Sequence, residues 1–220
     1  MNNLQFLITL HLLEPNIEYH ISVPEVSKFY KSSGYKDELV WAGLWLYRAT
    51  GKTQYYETAR KRYYAWRMFS SSSASEFSWD DKTIGVQLLI SQVTRGDLRN
   101  NYIKPVISYC RRPDANPNIK FTKKGLLYIN DWAPLRYAAN TAFLCAMASE
   151  YTSSDHPMIL AKEQAAYILG ETGFGFVVGF GDKYPLRPHH RASSCPSRPA
   201  GCGKSFLETG NINPQILFVS

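Results

Sequence analysis

The sequence has no apolar run long enough to span a bilayer, so it does not encode an integral membrane helix. The first thirteen residues contain the most signal-like stretch, but they have no basic residues ahead of the apolar part and no small-x-small cleavage site after it. We therefore expect no signal peptide in this sequence and no membrane partner. Residues 1–13 are predicted to form part of a helix.

Alternating polar and apolar positions are almost missing, so the sequence offers little sign of β-strands. Helical periodicity recurs instead, with short loops between the segments, and this order predicts an all-α fold built of helical hairpins. The expected helices are Glu25–Tyr30, a helix opened by Asp37-Glu38 and stopped by Gly51, Gln54–Met68, a helix starting at Asp80-Asp81, Leu98–Cys110, Pro134–Tyr151 and Pro157–Leu169. Between them, Ser70–Ser75 is predicted to be a polar linker, Pro113–Lys124 a loop and Gly125–Ile129 a short extended piece.

The formal net charge of +7 and a pI near 9.2 raise the question of nucleic-acid binding. The cations, however, are scattered in pairs such as Arg60-Lys61, Arg111-Arg112 and Lys123-Lys124, and no zinc-finger or RNP-like spacing accompanies them. A solvated basic surface explains this pattern better, so we expect no nucleic-acid partner.

Cysteine is scarce, with four residues in 220. Cys110 and Cys145 sit in apolar helical segments and are predicted to be buried thiols. Cys195 and Cys202 flank a short loop rich in proline, glycine and serine, and they are the likelier disulfide if the protein is secreted.

The most distinctive stretch is 176–196, which starts as an apolar run and then breaks at glycines and prolines. Glycine allows backbone conformations that a β-carbon forbids, and proline fixes φ. The stretch presents a group of cations and hydrogen-bond donors: Arg187, His189, His190 and Arg191. By spacing alone, a functional loop and a solvated basic turn are equally good interpretations.

The pattern Gly181-x-Lys183, four residues, Pro188-His189-x-Arg191 resembles the histidine signature of the family 9 glycoside hydrolases, the cellulase-type endoglucanases. The resemblance implies an (α/α)6 barrel of six helical hairpins, about half of it present here, from a secreted and monomeric full-length enzyme. It also implies that His189 and Arg191 bind glucosyl hydroxyls beside the bond to be cut. Neither residue is then the catalytic acid or the catalytic base.

A second segment, 131–140, resembles the cleft motif of the same family. The resemblance implies that Trp132 stacks on a glucosyl ring and that Arg136 hydrogen-bonds sugar hydroxyls. A flat indole face suits the apolar faces of a pyranose. The alternative is that Trp132 is an ordinary core residue.

A third segment, 33–41, resembles the part of the family that binds a structural calcium ion in some members. The implied ligands are oxygens of Ser33, Gly34, Asp37 and Glu38. A later aspartate, Asp80 or Asp81, completes the set, and of these two we choose Asp81. Hard oxygen ligands suit calcium. The alternative is that both acidic pairs are ordinary charges at helix N-termini, and no other cofactor is expected.

Two motifs that carry the family's chemistry are not in the sequence. Inverting hydrolysis needs two carboxyl groups roughly 6.5–9.5 Å apart. The resemblance places the base in an Asp-Ala-Gly-Asp motif and the acid in a later segment, often as Asn-Glu, and neither string occurs here. We therefore expect a partial catalytic domain for β-1,4-glucan hydrolysis at 24–217, a poorly matching segment at 1–23 and a truncated tail at 218–220. The alternative is a non-catalytic carbohydrate-binding remnant or pseudogene product.

Overall fold

The computed structural model describes residues 17–70, 76–111 and 120–215. The predicted helix at 1–13, the linker at 71–75 and the tail at 218–220 lie outside the described residues. In chain order the α-helices are α1 (Tyr19–Ser22), α2 (Lys36–Thr50), α3 (Thr53–Ala65), α4 (Thr83–Val93), α5 (Asp97–Tyr109), α6 (Pro134–Ala148), α7 (His156–Leu169), α8 (Arg191–Ser194) and α9 (Ser205–Glu208). Short 3-10 helices span Pro24–Lys28 and Ser149–Tyr151, and two strands, β1 (Lys120–Phe121) and β2 (Leu127–Tyr128), form a small hairpin.

Six long helices form three antiparallel hairpins: α2 with α3, α4 with α5, and α6 with α7. The first helices of the hairpins, α2, α4 and α6, pack side by side with α4 in the middle, and α5 also packs on α6. The predicted all-α fold of helical hairpins is confirmed. None of the described helices is long and apolar enough to cross a membrane.

The middle helix α4 is buried most completely. Every residue from Ile84 to Ser91 is buried, because α4 is covered by the other two inner helices and by its own partner α5. Gly85 is required by this packing: a Cβ built on it would lie 2.5 Å from Cε2 of Phe77 and 2.9 Å from Cζ3 of Trp41. Two apolar clusters extend from α4, one towards α2 and α3 and the other towards α6 and α7.

The helix ends confirm the prediction at Gly51 and depart from it in α3 and α4. The stop at Gly51 is confirmed, since Gly51 has φ of 67° in the left-handed region and its N–H bonds back to the carbonyl of Tyr47. The predicted end of α3 at Met68 is wrong, because the helix ends at Ala65 and Arg67 turns the chain at φ 55°. The predicted start of α4 at Asp80-Asp81 is also wrong: the helix begins at Thr83, whose N–H donates to the Asp81 carboxylate.

The strands were anticipated only in part. Leu127–Tyr128 falls within the predicted extended piece, but Lys120–Phe121 contradicts the predicted loop, because these residues pair antiparallel with β2. A fully buried glutamine of α7, Gln164, holds the hairpin by accepting from the Leu127 N–H and donating to the Gly125 carbonyl. Gln164 thus fixes β2, and β1 follows by pairing with it, although its own sequence does not signal a strand.

The prediction of free buried thiols at Cys110 and Cys145 is wrong. Both residues are fully buried as expected, but they form a disulfide that ties the end of α5 to α6. Cys195 and Cys202 form the second disulfide, as predicted for a secreted protein. Helical periodicity reported the burial of the first pair, but it carried no information on which helices become neighbours.

Candidate functional site

The helices α2, α4 and α6, which pack side by side, have their N-terminal ends at the same end of the molecule. Between α2 and α4, the Lys82 N–H donates to the Asp37 carboxylate at 2.5 Å and the Ser33 N–H donates to Asp80 at 2.7 Å. Between α4 and α6, the Asn140 amide donates to the Phe77 carbonyl at 2.8 Å. The segments before these three helices therefore share one face of the molecule, which we call the N-terminal face (residues 30–38, 76–83 and 130–140).

Trp132 lies on the N-terminal face and is 79% exposed. The turn before α6 presents it: the Asn130 side chain accepts the Trp132 N–H at 3.0 Å, and Ala133 adopts a left-handed conformation with φ of 52°. The alternative of an ordinary core residue is therefore wrong for Trp132. An exposed indole at a fixed turn offers a flat apolar surface to a ligand.

Arg136 lies in the first turn of α6, with its guanidinium held against the buried Tyr137. Its NH2 group donates to the Tyr137 hydroxyl at 2.7 Å, and its Cζ lies 4.6 Å from the centroid of the Tyr137 ring. Its Nε is buried and has no hydrogen-bond partner among the described residues. The guanidinium is thus fixed in place while part of its donor capacity is unused.

The signature loop, residues 170–190, leaves the C-terminal end of α7. Because α7 runs antiparallel to α6, this end lies beside the start of α6, which is on the N-terminal face. Two backbone bonds anchor the loop, from Gly175 N to Lys183 O at 2.7 Å and from Phe176 N to Ile168 O at 2.8 Å. Gly181 turns the loop with φ of 73°, a conformation that strongly favours glycine.

The predicted sugar-binding residues of the loop are exposed. His189 and His190 end the loop, and Arg191 opens the short helix α8. Their side chains and that of Arg187 make no hydrogen bond or ion pair within the described residues. The structure thus brings Trp132, Arg136 and the loop to one end of the molecule, but no hydrogen bond or ion pair within the described residues joins the two groups.

The predicted metal ligands cluster between α2 and α4. The Lys82 ammonium lies 3.1 Å from Glu38 Oε1 and also donates to the Trp79 carbonyl. The other oxygen of Glu38 is buried and has no hydrogen-bond donor among the described residues. Burial, and secondly the neighbouring Asp37 carboxylate, raises the pKa of Glu38 to about 7, and burial also raises the pKa of Asp81.

The donor chemistry of this cluster fits a hard cation. A cavity of about 430 Å³ borders Ser33, Gly34 and Asp37. The described residues contain no group of three His, Cys, Asp or Glu side chains arranged to hold a metal by themselves, so a calcium ion would also draw on the Ser33 hydroxyl and the Gly34 carbonyl. Asp80 joins this set directly, since its carboxylate accepts the Ser33 N–H, whereas the carboxylate of our choice Asp81 accepts from Thr83.

A pair of exposed aromatic rings on the N-terminal face was not predicted from the sequence. Tyr30 and Trp79 meet edge to face with their ring centroids 5.6 Å apart, and they are 61% and 41% exposed. Trp79 directly precedes the acidic pair that we examined for calcium. This position next to Asp80 could have drawn attention to Trp79. No local sequence pattern, however, pairs Trp79 with Tyr30, which lies 49 positions earlier.

These features define a class of protein: an all-α array of helical hairpins whose N-terminal face presents exposed aromatic rings, an arginine and carboxylates. Comparisons with known proteins identify the family. The family model described as Glycosyl hydrolase family 9 matches residues 13–218. The chain therefore belongs to glycosyl hydrolase family 9.

Individual relatives agree. The chain is 37% identical over 205 residues to Endoglucanase 5 of Arabidopsis thaliana, an alignment that covers 81% of this chain and 32% of the relative. The structure is similar to that of an endoglucanase from the termite Nasutitermes takasagoensis, with a TM-score of 0.82, 39% identity, and coverage of 91% of this chain and 45% of the other. Endoglucanase CelQ of Clostridium thermocellum, solved with cellotriose, gives a TM-score of 0.67 at 29% identity, covering 77% and 30%.

The chain thus spans about a third to just under half of the length of the relatives it matches. Three hairpins are half of the six in an (α/α)6 barrel. The similarity to solved endoglucanases confirms the fold expected from the resemblance, with about half of the barrel present.

Proposed function

We propose that the domain to which this chain contributes hydrolyses β-1,4-glucosidic bonds in cellulose, and that this chain supplies part of its glucan-binding surface. The observation that carries the proposal is the exposed indole of Trp132 beside the fixed guanidinium of Arg136, on the face where the signature loop emerges. Family membership supports the reaction class. Relatives solved with cellotriose, cellotetraose and cellobiose support the substrate class.

The proposed binding chemistry divides between stacking and hydrogen bonding. Trp132 offers dispersion and CH–π contact to one face of a glucosyl ring. Arg136, His189 and Arg191 offer donors to the sugar hydroxyls, and charged donors make the stronger hydrogen bonds. The exposed pair of Tyr30 and Trp79 provides a second aromatic surface on the N-terminal face for a longer glucan.

Hydrolysis with inversion needs a base to activate water and an acid to protonate the leaving oxygen. We assign neither role to an acid of this chain, because it contains neither the Asp-Ala-Gly-Asp nor the Asn-Glu motif. The acids of the N-terminal face, Asp37, Glu38, Asp80 and Asp81, are moreover engaged with one another's helices or with Lys82. In this proposal the residues described here bind and orient the glucan. We therefore expect the 220-residue chain alone to release no reducing sugar from carboxymethylcellulose.

Calorimetric titration of the chain with cellotetraose tests the binding. Trp132→Ala should weaken binding about tenfold, because it removes the stacking surface. Phe143→Ala is the matched control, since Phe143 is also an exposed aromatic of the α6 region but lies beyond the middle of the helix, away from the N-terminal face. Equal affinity of Trp132→Ala and the unmodified chain would contradict the proposed site.

We propose secretion for the full-length protein. The support is that all four cysteines of the chain are paired in two disulfides, which persist in oxidising compartments and are rare in the cytosol. Alkylation of the protein taken from its natural source, without reduction, should label no cysteine.

We also propose a structural calcium ion, held by Ser33, Gly34, Asp37 and Glu38 together with Asp80 or Asp81. The supporting observation is the buried Oε2 atom of Glu38, which has no hydrogen-bond partner among the described residues and lies in a cluster of acids. The ion would stabilise the junction of α2 and α4 and take no part in bond cleavage.

A further inference from the structure

Residues 211–215 cross back over the signature loop and bind it on both sides of the predicted sugar-binding residues. The Asn213 N–H donates to the Leu186 carbonyl at 3.1 Å, and the Gln215 N–H donates to the Ser193 carbonyl at 3.1 Å. Leu186 lies three residues before His189, and Ser193 lies two residues after Arg191. We call residues 211–215 the strap.

The side-chain amide of Asn213 adds the contacts nearest to His189. Its Nδ2 donates to the Pro188 carbonyl at 2.8 Å and to the Ser193 hydroxyl at 3.0 Å. The Ser193 hydroxyl in turn donates to the Gln215 carbonyl at 2.7 Å. Asn213 and Ser193 are both buried, so these bonds are shielded from competing water.

The network matters because the other hydrogen bonds to residues 188–191, among the described residues, come only from their near neighbours in the chain, such as Ser194 N–H to the His190 carbonyl and Cys195 N–H to the Arg191 carbonyl. The side chains of His189, His190 and Arg191 make no hydrogen bond or ion pair within the described residues, so their backbone must be fixed by the residues around them. The Pro188 carbonyl belongs to the peptide group that includes the nitrogen of His189. It also accepts the His190 N–H at 2.8 Å, so one carbonyl fixes the peptide on which His189 is mounted.

We propose that Asn213 is a positioning residue for glucan binding: its amide fixes the Pro188 carbonyl and the Ser193 hydroxyl, and so holds His189 and Arg191 in the geometry that sugar hydroxyls require. This inference rests on the proposed function of those two residues. A small misplacement of a binding group forfeits much of its interaction, and supporting hydrogen bonds prevent such misplacement.

Asn213→Asp is the sharpest variant, because it keeps the size and shape of the side chain but replaces the donating amide by a carboxylate that faces two oxygens. Asn211→Asp is the matched control: Asn211 lies in the same strap, is exposed, and its side chain makes no hydrogen bond within the described residues. Ser193→Ala is a milder second variant that removes one acceptor of the amide.

Two readouts on the whole chain separate positioning from general stability. Hydrogen–deuterium exchange of the amides in 186–193 should accelerate about tenfold in Asn213→Asp and less in Ser193→Ala, while exchange in α4 stays unchanged. Calorimetry with cellotetraose should give a dissociation constant about tenfold higher for Asn213→Asp and an unchanged one for Asn211→Asp.

Each outcome decides the inference. Unchanged exchange in 186–193 of Asn213→Asp would overturn it, and so would faster exchange with an unchanged dissociation constant, because the amide would then be a structural tie only. Failure of the unmodified chain to bind cellotetraose would instead contradict the proposed function. The exchange measurement would in that case still decide whether Asn213 fixes the loop.

Discussion

Removal of the Cys110–Cys145 disulfide should strongly destabilise the fold. The bond joins α5 to α6, and thus the second hairpin to the third, across a sequence separation of 35 residues. In the chain-entropy model, a loop of that length limits the unfolded state enough to stabilise the protein by about 4 kcal/mol. Both sulfurs lie in the apolar cluster shared by α4, α6 and α7, so the packing lost with them adds to this cost.

Urea unfolding of the double variant Cys110→Ala, Cys145→Ala measures the effect. The control is the double variant Cys195→Ala, Cys202→Ala, whose sequence separation of seven residues predicts a loss of only about 2 kcal/mol. A free energy of unfolding equal to that of the unmodified chain would refute the reasoning. So would alkylation of Cys110 and Cys145 in the folded, unreduced protein.

Three further predictions follow from the packing and charges. Gly85→Ala should destabilise the chain by about 1–3 kcal/mol in urea, because its methyl group would overlap Phe77 and Trp41. Without calcium, the free energy of unfolding should fall as the pH rises from about 4.5 to about 7, since native Glu38 holds a proton that the unfolded chain has already lost. If the proposed calcium site is real, calcium should raise the melting temperature and EGTA should reverse the rise, because the ion would bind the folded state only.

Each of these has its own control. Gly210→Ala should change stability little, because a Cβ there meets no atom within 4 Å and the backbone needs no positive φ. Glu38→Gln should flatten the pH dependence, and an equally steep curve in that variant would assign the effect to other groups. An unchanged melting temperature in calcium would mean that the Lys82 ammonium alone balances the acidic cluster.

The sequence predicted the features that depend on local chemistry. Helical periodicity indicated all three hairpins, and Gly51 marked the end of α2 because a left-handed residue there is almost always glycine. The spacing from Gly181 to Arg191 identified the signature loop through its resemblance to a family, where spacing alone left a basic turn equally acceptable.

The features that sequence reasoning missed depend on tertiary contacts. The Cys110–Cys145 bond requires that α5 and α6 become neighbours, and β1 forms by pairing with β2, which Gln164 of α7 holds at Leu127. Asp37 looked like an ordinary helix N-terminal charge, yet it accepts a hydrogen bond from the backbone of another hairpin at Lys82. Local patterns carry no information on such partners.

The most direct test of the central claim is a crystal structure of the chain soaked with cellotetraose. We predict a glucosyl ring stacked on the exposed indole of Trp132, with its hydroxyls within hydrogen-bonding distance of Arg136, of His189 in the signature loop and of Arg191 at the start of α8. An ordered oligosaccharide bound elsewhere, with the N-terminal face empty, would contradict the account.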